Sequence, residues 1–227
     1  MDSEAVREHF RVQVADYPDL MRRLVPFYDE QREIIVALIP FQRHQSIRVL
    51  DLGCGPGLLA RRMLSEFPYA ELTAFDLTGE MLQACRARLA DTDRVTYRLG
   101  DFRTDDLGHG YNLIVASLAL HHLQLSERPE FYRRAYEALT DGGLLIAAEV
   151  INDESPAVRE RQYQLWREFM VQNGEDGDQW YRKHLEKDHP ASVSSLLALL
   201  AGACFEAPGC FWRYLNFAIL SARKPAV

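Results

Sequence analysis

The residues best equipped for chemistry stand at the ends of successive apolar runs. The first run leads into VLDLGCGPGLLA, residues 49–60, where Asp51 is followed by Gly53, Gly55 and Gly57 and then by a helical pattern. Glycine tolerates positive φ and lets backbone approach a ligand closely, and the N-terminus of the helix that follows attracts an anionic group. A dinucleotide fingerprint of the form Gly-x-Gly-x-x-Gly would place its third glycine at position 58; that position is Leu58, and the third glycine comes one residue early. The second run ends in AFDLTGEML, where the Asp76 carboxylate can accept from both hydroxyls of a ribose and would repel a 2′-phosphate. The third ends in LGDF, where Asp101 can accept from an adenine amino group with Phe102 against the ring. A fourth ends in Ser117-Leu118, with His121-His122 just beyond. Taken singly, each acidic residue reads as a solvated loop residue. Three run ends closing on Asp51, Asp76 and Asp101 around one glycine turn read as a nucleoside site.

Such a site needs strands that deliver all four ends to one edge. The spacing predicts strands at 47–53, 71–76, 95–101, 111–117 and 143–150, alternating with helices at 58–67 and 79–89 and a helix capped by Ser126 that ends at Asp141-Gly142-Gly143. Strands separated by helical stretches imply crossover units and a parallel sheet, and the near-continuous apolar character of the fourth and fifth strands fits burial on both faces. Residues 4–39 read as helical, stopping at Pro40. After Val150 the alternation breaks. Ser155-Pro156 opens a helix, a polar break follows at 173–178, a short helix spans 179–187, another covers 191–203, and 210–224 reads as two strands with a tight reversal. The expected organisation is a helical cap (1–45), a core (46–150), a helical insertion placed to act as a lid (151–190), and a final helix with a strand hairpin completing the core (191–227).

The chain has 227 residues, 48% of them hydrophobic and 26% charged, within the ordinary globular range. Its net charge of −7 argues against a general polyanion binder, which leaves a basic footprint. Only Lys183, Lys187 and Lys224 are lysines. The four cysteines (54, 85, 204, 210) lie far apart without Cys-x-x-Cys pairs, so neither a disulfide framework nor a metal site is expected. The opening MDSEAVREHF is acidic and polar, unlike a signal peptide, and no apolar run approaches the roughly 20 residues of a membrane span. A reduced, cytoplasmic protein with no membrane partner is the expectation.

VLDLGCGPG, AFDLTGEML, LGDF and IVASLALHHL resemble the successive motifs of the class I S-adenosylmethionine-dependent methyltransferases over about residues 47–150. The resemblance implies a Rossmann-like, doubly wound, seven-stranded sheet, mostly parallel with a C-terminal antiparallel hairpin, and a cofactor pair of S-adenosylmethionine and its product S-adenosylhomocysteine. It also implies that Asp51, Gly53, Gly55 and Gly57 hold the methionyl part, that Asp76 holds the ribose, that Asp101 and Phe102 hold adenine, that Ser117 and Leu118 lie near the sulfonium, and that Cys54, Leu77 and Met81 join the cofactor-binding set. Tyr17 and Arg22 are placed to close over the carboxylate end. ADYPDLMRRLVPFYDEQREII, HLEKDHPASVSSLLALLAGACF and RYLNFAILSARK resemble a branch containing carboxy-S-adenosylmethionine synthase and small-molecule methyltransferases. In that synthase an arginine holds the added carboxylate, and Arg182 is the nearest match; the paired histidines depart from the synthase pattern and fit ordinary methyl transfer better. The expected function is methyl transfer to a small organic acceptor, with His121 or His122 as base or orienting group. The acceptor is expected against Tyr163, Trp166, Trp180 and Arg182. Cofactor carboxylation, tRNA modification and a non-catalytic cofactor-binding regulator are the alternatives. A small-molecule partner, no nucleic acid and a homodimer complete the expectations.

Overall fold

The computed structural model describes residues 16–226. Of the helical stretch expected over 4–39, the part before residue 16 lies outside the described residues. The remainder is two helices, α1 (Tyr17–Leu24) and α2 (Tyr28–Ala37). Pro26 parts them: it has no N–H to continue the helical ladder, and Phe27 at its C-terminal side sits at φ 55° as the N-cap of α2.

The core then alternates as β1 (Arg48–Leu52), α3 (Leu58–Glu66), β2 (Glu71–Asp76), α4 (Gly79–Arg88), β3 (Val95–Leu99) and β4 (Tyr111–Ser117). A single 3-10 turn at Leu120–His122 leads toward α5 (Arg128–Ala138). Glu127, not Ser126, occupies the N-cap of α5, and no side chain caps it. The helix also ends earlier than expected, because β5 (Leu139–Asn152) begins before the Asp141-Gly142-Gly143 segment and runs through it. The insertion follows as α6 (Pro156–Gln172) and α7 (Gly177–Lys187), the latter capped by Asp176, whose side chain accepts from the Gln179 N–H. A two-residue β6 (Ala191–Ser192), α8 (Val193–Gly202), β7 (Glu206–Tyr214) and β8 (Phe217–Arg223) complete the described chain.

Seven strands run in the order β3-β2-β1-β4-β5-β8-β7, and β6 pairs beside the far end of β5, making eight strands among the described residues. The pairs among β1 to β5 are parallel, whereas β8 is antiparallel to both β5 and β7. The expected doubly wound sheet with its terminal hairpin is therefore the observed one, with β6 as the addition. Successive residues of a strand face opposite sides, and the core sorts accordingly. Val49, Leu72, Leu113 and Ile146 pack with α2, α3 and α4 on one face, while Leu50, Phe75, Ile114 and Leu145 pack with α5 and α8 on the other. A third cluster joins Leu20 and Leu24 of α1 to Tyr163, Trp166 and Met170 of α6 and to Phe217. There the Trp166 indole N–H donates to the Leu24 carbonyl at 2.7 Å, and Arg23 pairs with Glu175 at 2.6 Å. Cap and insertion thus close together over the sheet's carboxyl edge.

The order reverses between β1 and β4, so their following loops diverge and leave a crevice at the carboxyl ends. The glycine turn after β1 packs tightly beneath it. Gly57 has φ +80°, and a Cβ there would lie 2.6 Å from the Cys85 sulfur of α4. Gly57→Ala should destabilise the protein by about 2–4 kcal/mol, combining left-handed strain with overpacking. Chemical denaturation checks it: adding Cys85→Ala should recover only the packing share, and an unchanged unfolding midpoint in Gly57→Ala would contradict the tight turn.

Candidate functional site

Asp76 organises the crevice. Its Oδ2 accepts from the Gly55 N–H at 2.9 Å, and its Oδ1 accepts from the Thr78 N–H at 2.9 Å and the Thr78 hydroxyl at 3.1 Å. One buried carboxylate therefore ties the glycine turn after β1 to the turn after β2. Burial pushes its pKa up, and the donors at Thr78 and Gly55 oppose that push. The Leu77 backbone adds a further favourable contact, so an incoming donor would compete with the protein's own, of which the Thr78 hydroxyl can exchange partners. Above the turn, a Cβ on Gly55 would meet nothing within 4 Å, which keeps that backbone open to the crevice.

A cavity of about 710 Å³ occupies this position, lined by Tyr17, Gly53, Gly55, Asp76, Leu77, Met81, Asp101, Phe102, Ser117 and Leu118 among the expected residues. Thr78, Arg103, Ala119 and His122 line it as well. Four expected cofactor residues do not line it. Arg22 is exposed on α1 and pairs with Asp19 at 2.6 Å and Asp29 at 2.8 Å. Cys54 and Gly57 are buried within the turn. Asp51 is buried at the end of β1, and its Oδ2 has no hydrogen-bond partner among the described residues. Asp101 reaches the cavity, but it is engaged differently from the expectation: the Arg103 guanidinium forks onto it, with Nη2 donating to Oδ2 at 2.8 Å and Nε donating to Oδ1 at 3.0 Å. An adenine amino group would have to share that carboxylate. Phe102 packs edge-on against Phe131, with ring centroids 5.7 Å apart.

A second cavity of about 770 Å³ adjoins the first, and Tyr17, Leu118 and His122 line both. Leu118 holds φ 55°, a left-handed turn immediately after β4. The second cavity is walled by α1, α6, α7 and Phe217. Of the residues expected to meet an acceptor, Trp166 and Trp180 line it. Tyr163 is buried behind it, donating to Asn152 Oδ1 at 2.6 Å and meeting His184 Nε2 at 2.9 Å. Arg182 is exposed and lines neither cavity; its helical neighbours Lys183 and Lys187 do so instead.

Sequence reasoning missed Asp188, which lies beyond the C-terminus of α7. Its Oδ1 stands 3.1 Å from His122 Nδ1 and 3.7 Å from His121 Nε2, and its Oδ2 meets His184 Nδ1 at 2.7 Å. The His189 N–H donates to the His121 carbonyl at 2.7 Å, and Arg128 Nη2 donates to the His189 carbonyl at 3.1 Å, which fixes the loop against the histidine turn. Burial alone would raise the Asp188 pKa, but His121, His122 and His184 together outweigh it and hold the carboxyl well below its usual range. Burial, aided by His122, pushes the His121 pKa well below the ordinary histidine value, while Asp188 pulls it the other way. His121, His122 and Asp188 bring one donor atom each within 4.8 Å of the others, a juxtaposition absent from any spacing in the sequence.

Asp51 supplies a measurable consequence. Burial, reinforced by the Asp76 charge, raises its pKa from 3.8 to about 7. The unfolded chain then releases this proton first as pH rises, so the contribution to stability is full below about pH 4 and is lost through pH 7. Asp51→Asn should match the parent at pH 4 and exceed it at pH 8 by a few kcal/mol at most, on the order expected for such a shift. Glu149, also raised to about 7 by burial, should preserve part of the decline in the variant. Superimposable stability–pH curves for the two proteins would contradict the burial of an ionisable Asp51.

Comparison with known proteins agrees with this geometry. Residues 49–143 match the family described as a methyltransferase domain. The chain is 29% identical over 225 residues to the carboxy-S-adenosyl-L-methionine synthase of Pectobacterium atrosepticum, covering 95% of this chain and 90% of that one. An O-methyltransferase family protein from Burkholderia thailandensis superposes with a TM-score of 0.71 at 17% identity, covering 99% of this chain. The chain spans 63% of that protein's length, less than two thirds. The DhpI–SAH complex superposes with a TM-score of 0.69 at 15% identity, covering 98% of this chain and 97% of that one. No helix among the described residues is long and apolar enough to cross a membrane. Over residues 49–143 the chain is thus similar to a methyltransferase domain, and its fold is the one shared with those solved proteins.

Proposed function

We propose that the protein transfers the methyl group of S-adenosylmethionine to a small organic acceptor, with the cofactor in the first cavity and the acceptor in the second. The observation that carries this reading is the pair of cavities meeting at Tyr17, Leu118 and His122. The residues present fit the cofactor. Asp76 and Thr78 offer polar atoms for a ribose, and Phe102 offers an apolar face for adenine. S-adenosylmethionine supplies an electrophilic methyl group; alignment of acceptor, methyl carbon and leaving sulfur then provides much of the acceleration.

His122 stands at the junction with Asp188 against its Nδ1 at 3.1 Å. For an acceptor that must lose a proton, the His122 imidazole takes it and Asp188 stabilises the imidazolium. His121 is buried and packs against His122, with ring centroids 4.2 Å apart. Residues 151–190 act as the acceptor-binding insertion, excluding water from the junction. The similarity to carboxy-S-adenosyl-L-methionine synthase supports a second reading, cofactor carboxylation, over nearly the whole chain. The exposed position of Arg182, the nearest match to that enzyme's carboxylate-holding arginine, favours methyl transfer.

Mass spectrometry of ligand retained on the purified protein separates the two readings. S-adenosylmethionine or S-adenosylhomocysteine is the expected finding, and a carboxylated cofactor would replace the methyl-transfer reading with the second one. Calorimetry should show S-adenosylhomocysteine binding tighter than NAD. Asp76→Ala should weaken that binding by about 1.5–3 kcal/mol, the worth of hydrogen bonds to a charged group. Tighter binding of NAD would overturn the cofactor assignment.

His122→Ala should lower the methylation rate by roughly 10²–10⁴ for an acceptor with an ionisable O–H or N–H, while S-adenosylhomocysteine affinity changes only a few-fold. Full turnover in His122→Ala and in the His121/His122 double variant would remove the base from the mechanism.

A further inference from the structure

Two cations on the wall of the second cavity have no role in the chemistry described above. Lys183 and Lys187 are four residues apart on α7, which puts them on one face of the helix, and both line the cavity. The chain carries only three lysines against a net charge of −7. The third, Lys224, is accounted for: it donates to the Leu139 carbonyl at 2.8 Å and stands 3.7 Å from Asp141. Among the described residues neither Lys183 nor Lys187 has a hydrogen bond or an ion pair; Lys183 Nζ lies 3.9 Å over the Trp180 ring.

The nearby acids are committed elsewhere. Glu175 accepts from Arg23 Nε at 2.6 Å and from the Trp180 indole N–H at 2.9 Å. Both Asp188 oxygens face histidines, and Glu186 is exposed. Burial and the neighbouring Lys183 charge push the Lys187 pKa down, outweighing the opposing pull of Glu186 and Asp188. The rest of the wall is apolar, with Leu24, Val150, Met170 and Phe217 prominent.

We propose that the acceptor is an organic acid whose carboxylate is held between Lys183 and Lys187, its apolar body lying along Leu24, Met170 and Phe217 toward Leu118 and His122. This deepens the methyl-transfer reading and rests on it for the word acceptor, but the anion site itself is testable without any turnover. Two ammonium groups act as point charges with rotatable donors and do not demand one planar geometry, so the acid is selected by its charge and by the length and girth of its apolar part.

Trp166 and Trp180 both line the cavity, so intrinsic fluorescence reports its occupancy. The probes are phenylacetate, 3-phenylpropanoate and decanoate, each titrated beside its primary amide, with and without S-adenosylhomocysteine. At least one acid should bind on the order of tenfold more tightly than its amide, as charge-assisted hydrogen bonds allow. Lys183→Met/Lys187→Met, which keeps the aliphatic stems, should abolish that preference, and Lys183→Arg/Lys187→Arg should retain it. S-adenosylhomocysteine affinity, read separately by calorimetry, should be the same in all three proteins. Equal affinity for acids and amides, including no binding of any acid at millimolar concentration, overturns the proposal, as does a preference that survives in the Met double variant. Loss of S-adenosylhomocysteine binding by the parent protein would instead overturn the methyl-transfer reading and leave the acid–amide comparison to be judged by itself.

Discussion

The carboxylate of Asp76 is the constraint on which the rest of the site depends. Three donors from two loops converge on it, from the Gly55 backbone and from the backbone and hydroxyl of Thr78. Together with the Gly53 and Cys54 N–H groups, which donate to the Phe75 carbonyl at 2.8 and 3.2 Å, it fixes the turn after β1 against the end of β2 as the floor of the crevice. Asp76 is only 8% exposed. The cost of burying it is offset by hydrogen bonds from the same loops that it organises.

A second tier rests on this floor. The insertion is tied to the N-terminal cap through Trp166 and Leu24 and to the histidine turn through the His189 backbone. Those two ties bring residues from distant parts of the chain to one place. Asp188 meets His121 and His122, while Tyr163 and Asn152 steady His184 behind it. Because Leu118 and His122 belong to both cavities, any group bound in the second faces the first at the point where β4 ends.

The sheet was legible because its signals are local. The runs ELTAFD and YNLIVAS coincide with β2 and β4 to the residue, and the glycine turn announces itself by spacing alone. Apolar periodicity did not foresee the break at Pro26, since the pattern continues on either side of it. Thr78 could have been found from its place two residues after Asp76, a common local capping arrangement. Asp188 could not: its role comes from the path of α7 and its following loop, and no spacing relates 188 to 121. The Arg103 fork on Asp101 was likewise hidden, because an aspartate two residues from an arginine is usually a solvated pair. Arg182 shows how fine the margin is on a helix. One residue is about 100° of rotation, enough to turn Arg182 outward while Lys183 faces the cavity.

In the proposed reaction, donor and acceptor occupy adjoining cavities joined at Leu118 and His122. A crystal structure with S-adenosylhomocysteine tests it most directly. The ribose hydroxyls should lie within hydrogen-bonding distance of Asp76, about 2.6–3.2 Å, with the adenine against Phe102 and the sulfur at the opening between the two cavities. A ribose away from Asp76, or a sulfur turned away from Leu118 and His122, would contradict it.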